Sequence, residues 1–392
     1  MKITGIEIFQ IGEQSSGGAT WAGNSIVLKL TTSNGEIGYG EAVPTLRVQP
    51  VINSLREVAR VYAGKDPLDV ESNLHEWYRQ DFYMPVSFES TTAASAFDIA
   101  CWDIIGKHFG APIHQLLGGS FRKKVRMYAN GWYDDCVTPD QFSEKASRFV
   151  KMGYTGLKFD PFGEYYNWID AKGLQLAYDR VKAVLDATEG KSDIMIEHHG
   201  RFNPNSAIMI AKKLEEFDPL FMEEPIHPDN LEGYRKYRAS TGVKVALGER
   251  LLTKEQVVYV LQNDLTDFLQ VDLTNVGGVT VAKKISGIAE AYGVEMAFHN
   301  AFGPIQNAAT IQLDATIPNF LIQESFWDAF PQWKKNLVNN QPAVESGQTI
   351  VPDKKGIGIE VDEAVFQDHL ASGQEYFNPD EPVWVVKNTW KN

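Results

Sequence analysis

Between residues 125 and 325, short apolar runs alternate with helix-length segments, and this predicts an α/β protein whose parallel sheet closes into a barrel. Eight such runs occur, at 125–132, 155–161, 193–200, 220–226, 244–250, 267–275, 293–300 and 320–325. Eight β-α units over about 200 residues suit a closed barrel better than an open doubly wound sheet. The runs are rich in Ile, Leu, Val, Met and Phe without strict alternation, as expected of strands covered on both faces.

Residues 1–124 read as a separate α+β capping domain. Residues 3–9 and 25–32 have strand character, Asn34-Gly35 is a hairpin turn signal, and 35–42 supplies the returning strand. Helical periodicity covers 50–63 and 90–109, the second ending at Gly110 and Pro112. The barrel takes residues 125–337. Residues 338–392, with Trp384 and Trp390, read as irregular but ordered chain packing back on the cap.

Composition removes several classes of function. The chain of 392 residues carries 37 basic and 51 acidic side chains, a net charge of −14 without basic clusters, which argues against nucleic acid or an anionic membrane as partner. No run approaches the length of a membrane span, and MKITGIEIFQ lacks a cationic leader, so the expected location is cytoplasmic. Two cysteines, Cys101 in an apolar helical run and Cys136 in a loop, fit a reducing compartment.

The chemistry lies at the carboxyl ends of the barrel runs, where barrel enzymes hold their active sites. There stand Lys158 and Asp160, Glu197 and His199, Glu223, Glu249, Asp272, His299 and Glu324. From Glu197 onward the steps are 26, 26, 23, 27 and 25 residues, one β-α unit each, so chain spacing alone sets these groups around one rim. Strand alternation puts Glu197 and His199 on one face, turns His198 away, and lets only one of Glu223 and Glu224 face the axis. Carboxylates on adjacent strands lie about 5 Å apart. Three of them need a cation or a proton, and all-oxygen ligation suits Mg²⁺, with Mn²⁺ as a substitute. Zinc is disfavoured because neither cysteine nor an HExxH spacing accompanies the set. Asp272 and His299 end consecutive strands, a way to prepare an imidazole base. His199 faces the same cavity from the other side, so one histidine could remove a proton and the other donate one. Gly277-Gly278 could cradle a phosphate at a helix N-terminus or simply make a tight turn. The aromatic group Trp77, Tyr78, Phe82 and Tyr83 packs at a helix end or closes in part over substrate.

These residues resemble the enolase superfamily in its mandelate racemase-like branch, over almost the whole chain. The resemblance implies a (β/α)7β barrel with an α+β cap, metal ligands at Glu197, Glu223 and Glu249, the Asp272/His299 dyad and an acidic group at Glu324. DIACWDIIGK (98–107) looks like the helix that joins cap to barrel. Racemases carry Lys-x-Lys where this chain has Lys158-Phe159-Asp160, and EHHGR is similar to the acid-His pattern of sugar-acid dehydratases. GGATWA, YANGWY, LKFDPFG, VDLTNVGGV and FHNAFG look like the archaeal gluconate dehydratases. The resemblance implies Mg²⁺-assisted dehydration of D-gluconate, with D-galactonate as a second substrate, to the 2-keto-3-deoxy acid. His299 takes the C2 proton, His199 protonates the departing 3-hydroxyl, and Lys158 and Glu324 assist at the carboxylate. Asp160, with Trp21 and Tyr83 on cap segments, is a candidate substrate contact. Alternatives are the same reaction on a pentonate such as D-xylonate, an epimerase, or a non-catalytic metal or sugar-acid-binding barrel. The resemblance also implies a homo-oligomer, an octamer.

Overall fold

The computed structural model describes residues 1–12, 24–44, 48–79, 83, 86–341 and 343–371. Trp21 and Phe82 lie outside the described residues.

The cap begins with an antiparallel sheet of β1 (Ile3–Gly12), β2 (Asn24–Thr32) and β3 (Ile37–Ala42), in that order. The turn between β2 and β3 falls at the expected place, with Gly35 at φ 85°. Helices α1 (Val48–Tyr62), α2 (Val70–Arg79) and α3 (Phe88–His108) follow. The apolar positions of α1 recur every three or four residues (Val48, Val51, Ile52, Leu55, Val58, Val61, Tyr62), and all are buried. Ser87 caps α3, accepting a hydrogen bond from the Ser90 N–H. From residue 91 to 106 α3 is apolar or small on nearly every face, because it lies between the cap sheet and the barrel. Gly40 permits this approach: a Cβ there would stand 1.9 Å from the Ala96 carbonyl.

After the short α4 (Ile113–Leu116) the barrel strands run in chain order: β4 (Lys124–Ala129), β5 (Gly156–Phe159), β6 (Asp193–Glu197), β7 (Phe221–Glu223), β8 (Val245–Leu247), β9 (Phe268–Leu269), β10 (Glu295–Met296) and β11 (Gln323–Ser325). Seven of the eight fall within the predicted runs, and β4 begins one residue before its run. The helices between them are α5 (Pro139–Lys151), α6 (Ala171–Thr188), α7 (Pro204–Leu214), α8 (Leu231–Arg238), α9 (Lys254–Gln262), α10 (Gly278–Ala291) and α11 (Pro304–Asp314). The parallel sheet runs β10-β9-β8-β7-β6-β5-β4-β11. Its ends meet where the Met296 N–H donates to Asn319 O (2.7 Å) and the Leu321 N–H to Met296 O (2.9 Å), completing the ring. Inside it Tyr128, Met195, Phe221, Ala246, Ala297 and Ile322 form their own buried cluster.

As far as residue 371 the chain after the barrel meets the cap: Gly12 N–H donates to His369 O, Ala371 N–H to Gln10 O, and Phe366 packs on Phe9; Trp384 and Trp390 lie outside the described residues. It also touches the barrel. After β12 (Val338–Asn339), β13 (Gln348–Ile350) pairs antiparallel with β4, a strand that sequence alone did not reveal, and β14 (Glu360–Val361) pairs with β12.

Buried carboxylates knit cap to barrel. Asp98 of α3 accepts from the Thr280 N–H (3.1 Å) and Ser95 from the Gly277 N–H (2.9 Å), so the cap itself fills the N-terminus of α10. The glycine pair is therefore a close-approach turn: a Gly278 Cβ would meet Asp98 Oδ1 at 2.2 Å, and no room remains for a phosphate. Glu41 of β3 does the same for α11, accepting from the Ile305 and Gln306 N–H groups at 3.2 and 3.0 Å.

Candidate active site

The carboxyl ends of the barrel strands open into a cavity of 850 Å³ lined by Lys158, Asp160, Glu197, His199, Glu249 and His299, among others. Glu223, Asp272 and Glu324, 0–1% exposed, lie behind that lining and bond to it through Lys158 and His299. Every rim residue singled out by spacing is thus in one place, on seven of the eight strand ends. β6 and β10 are four strands apart in the ring, so His199 and His299 stand on opposite walls.

On one wall, His299 Nδ1 is 2.6 Å from Asp272 Oδ2. The other oxygen of Asp272 accepts from the Thr274 N–H (2.6 Å) and the Gln306 amide (2.9 Å), which pins the carboxylate. His299 Nε2 points to Glu249 Oε2, 3.1 Å away. Burial works against an imidazolium here, but Glu249, Glu324 and Asp272 outweigh it and push His299 up to about 10.

The opposite wall carries a second imidazole–carboxylate contact. His199 Nδ1 is 3.2 Å from Asp160 Oδ2, and Asp160 Oδ1 accepts from Arg201 Nη2 (2.6 Å) and the Phe162 N–H (2.9 Å). Burial opposes ionisation of Asp160, yet Arg201 and His199 hold its carboxyl below the usual range. The expectation that strand alternation aims His199 needs correction. β6 ends at Glu197, and His199 reaches the cavity through a left-handed turn (φ 53°) whose N–H donates to Glu197 Oε1 at 2.7 Å. His198 is turned away, as expected, into a fully buried site between Phe162 and Phe202.

Between the walls Lys158 Nζ lies 2.7 Å from Glu223 Oε2, 2.7 Å from Glu324 Oε1 and 3.2 Å from Glu197 Oε2. Despite burial, these carboxylates raise the ammonium well above its ordinary value. Glu223 is pushed well up by burial and then by Glu197. Lys158 and His199 hold Glu197 down against its own burial. The companion Glu224 diverges as expected, turning (φ 36°) to bind Arg250.

The donor set fits a hard divalent cation, although its arrangement differs from the expected one. Glu223 Oε1 is buried without a hydrogen-bond partner, and seven carboxylates in this bonded network face three permanent cations (Lys158, Arg201, Arg250). Yet among the described residues no three His, Cys, Asp or Glu side chains converge as they stand. The reason is visible: Lys158 neutralises Glu197 and Glu223, while Glu249 turns toward His299 and Arg250.

Other site residues were missed in the sequence. Asn130, one residue past β4, donates to Glu324 Oε1 (2.7 Å), and the Asn300 N–H donates to Glu324 Oε2 (2.8 Å). Gln270, one residue past β9, donates to Glu223 Oε2 (2.7 Å). Position at a strand end was the available signal for both side chains. Tyr83, a proposed substrate contact, is 80% exposed and is not among the described residues that line the cavity.

A capped β/α barrel with paired imidazoles and buried carboxylates behind them defines a class of barrel enzymes. Residues 141–365 match the model of enolase C-terminal domain-like proteins, and residues 14–118 that of the mandelate racemase/muconate lactonizing enzyme N-terminal domain, so the chain belongs to the mandelate racemase branch of the enolase superfamily. It is 47% identical to a D-gluconate dehydratase of Thermoproteus tenax, over 95% of this chain and 75% of that one. It is 45% identical to a D-gluconate/D-galactonate dehydratase of Picrophilus torridus, over 99% of both. Among solved structures, a mandelate racemase/muconate lactonizing enzyme from Jannaschia sp. CCS1 superposes with TM-score 0.88 at 30% identity, covering 95% of this chain and 99% of that one.

Proposed function

We propose that this chain is a hydro-lyase that converts D-gluconate, and D-galactonate as a second substrate, to the 2-keto-3-deoxy acid and water. The observation that carries the reading is the pair of imidazoles on opposite walls of one cavity, with Lys158 and its carboxylates between them. The two relatives described above, named for gluconate, favour a C6 acid over the pentonate alternative.

Glu197, Glu223 and Glu249 would hold a divalent cation, Mg²⁺ or Mn²⁺ in its place, supplying Lewis-acid stabilisation of charge on the substrate carboxylate. His299, oriented through Nδ1 by Asp272, removes the C2 proton at Nε2. Lys158 offers positive charge beside the carboxylate as the C2 electrons move into it, and Glu324 fixes Lys158 in place. His199 gives the proton on Nε2 to the 3-hydroxyl, the C3–O bond breaks with its electron pair, and water leaves. Ketonisation of the enol completes the product. Both cysteines are free, which agrees with a cytoplasmic setting. The division at residues 124 and 337, and a homo-octamer, belong to the same proposal.

Aldonates of five and six carbons incubated with protein and Mg²⁺ test the reading directly. Gluconate should give the 2-keto-3-deoxy acid with the highest kcat/KM of the set. No keto acid from any aldonate would reject it. Added Mg²⁺ should also raise the Tm of chelator-treated protein, and Glu223→Gln should abolish that rise.

A further inference from the structure

Resting on the proposed dehydration, we infer that Asp160 is the positioning residue of the proton-donating histidine, so that the site contains two carboxylate–imidazole dyads facing each other. Asp160 stands one residue past β5 and His199 two past β6, on neighbouring strands, as Asp272 and His299 stand past β9 and β10. In both pairs the carboxylate meets Nδ1, which leaves Nε2 as the ring atom directed elsewhere. In both, the second carboxylate oxygen is held by protein donors, which fixes the carboxylate against the ring.

The two pairs differ in what holds the carboxylate. Asp272 accepts from neutral donors, the Thr274 N–H and the Gln306 amide, and delivers its charge to the imidazole undivided. Asp160 is bridged to the Arg201 guanidinium, itself 1% exposed and lying over Phe162 and Phe202 at 5.6 and 5.3 Å. Arg201 draws off part of that charge while fixing the ring's orientation. An imidazole held this way keeps one tautomer and one orientation, which suits a group that must present its proton to a leaving hydroxyl. The left-handed turn at His199 is what brings the ring back to β5 and this partner.

Asp160→Asn and His199→Asn should behave alike. Both should keep exchange of the C2 proton of gluconate with deuterated solvent, within about 3-fold of each other, while dehydration falls about 100-fold. Both should still convert 3-deoxy-3-fluoro-D-gluconate. There the C2 proton goes to His299, the C3–F bond breaks with its electron pair, and fluoride departs without needing an acid. Asp160→Asn added to His199→Asn should cost nothing further, and Asp160→Glu should recover part of the dehydration rate. The inference is overturned if folded Asp160→Asn loses C2 exchange or fluoride release along with dehydration. It is equally overturned if that variant dehydrates gluconate at the parental rate, or if the double variant shows the product of the two single losses. Should Asp160→Asn not fold, Asp160→Glu read by the same exchange-to-dehydration ratio decides. Failure of the parental protein to make a keto acid would instead remove the functional reading itself, before any variant is made.

Discussion

The seam between cap and barrel and the mouth of the barrel both bury acidic side chains, and they treat them in different ways. At the seam Glu41 and Asp98 feed helix N-termini, and Asp103 accepts from the Tyr39 and Ile357 N–H groups, each at 3.1 Å. Glu41 and Asp98 meet the aligned N–H groups of a helix N-terminus, which offset part of the cost of burying them. At the mouth one ammonium serves three carboxylates. The seam carboxylates each hold backbone N–H groups across the joint, with Lys107 beside Asp103, whereas at the mouth several carboxylates crowd one ammonium; an orphan oxygen occurs in both places, on Asp98 and on Glu223.

Substitutions on either side separate the two. The largest effect is expected at the mouth: His299→Asn should lower dehydration by about 10²–10⁴-fold and abolish C2 exchange into deuterated solvent, with little change in Tm. Retained exchange would reject His299 as the base. Gly278→Ala belongs to the seam. Its Cβ would strike Asp98 in a residue held at φ 76°, so unfolding in urea should show a loss of about 2–4 kcal/mol. Its kcat, measured below the transition, should change far less than in His299→Asn.

The smallest effect concerns pH. Burial raises Asp98 to about 7, against an ordinary aspartate value near 3.9 in the unfolded chain. Between those values the folded protein holds the extra proton, so this group's stabilisation is complete below about pH 4 and declines as pH rises toward 7. The slope is at most about 1.4 kcal/mol per pH unit. Asp98→Asn keeps an oxygen to accept from the Thr280 N–H and removes the titration, so its urea midpoint should be flatter across that range. An unchanged slope would show that the carboxyl does not titrate in that interval.

The barrel and its rim were legible because each β-α unit delivers one residue to the mouth, and spacing survives in a single chain. The neutral members were not. Asn130 and Gln270 differ from other amides only in which carboxylate they meet, and that is set by register between strands. The turn at His199 was hidden because strand alternation gives the same facing for a different reason. The departure of Glu249 toward His299 reflects local charge pairing that no spacing records. The seam anions were hidden too: Glu41 and the helix it caps are separated by 264 residues of sequence.

The return of the last described segment onto β1 has a consequence for how the molecule is made. Lys29 of the cap meets Glu363 at 2.8 Å across 334 residues, and Gly12 and Ala371 exchange bonds with their opposite ends of the chain. A ribosome must therefore release the whole barrel before the sheet of β1, β2 and β3 can find this clasp. Until then the nascent cap has an unfinished edge, and the interval is one in which chaperones and proteases can compete for it.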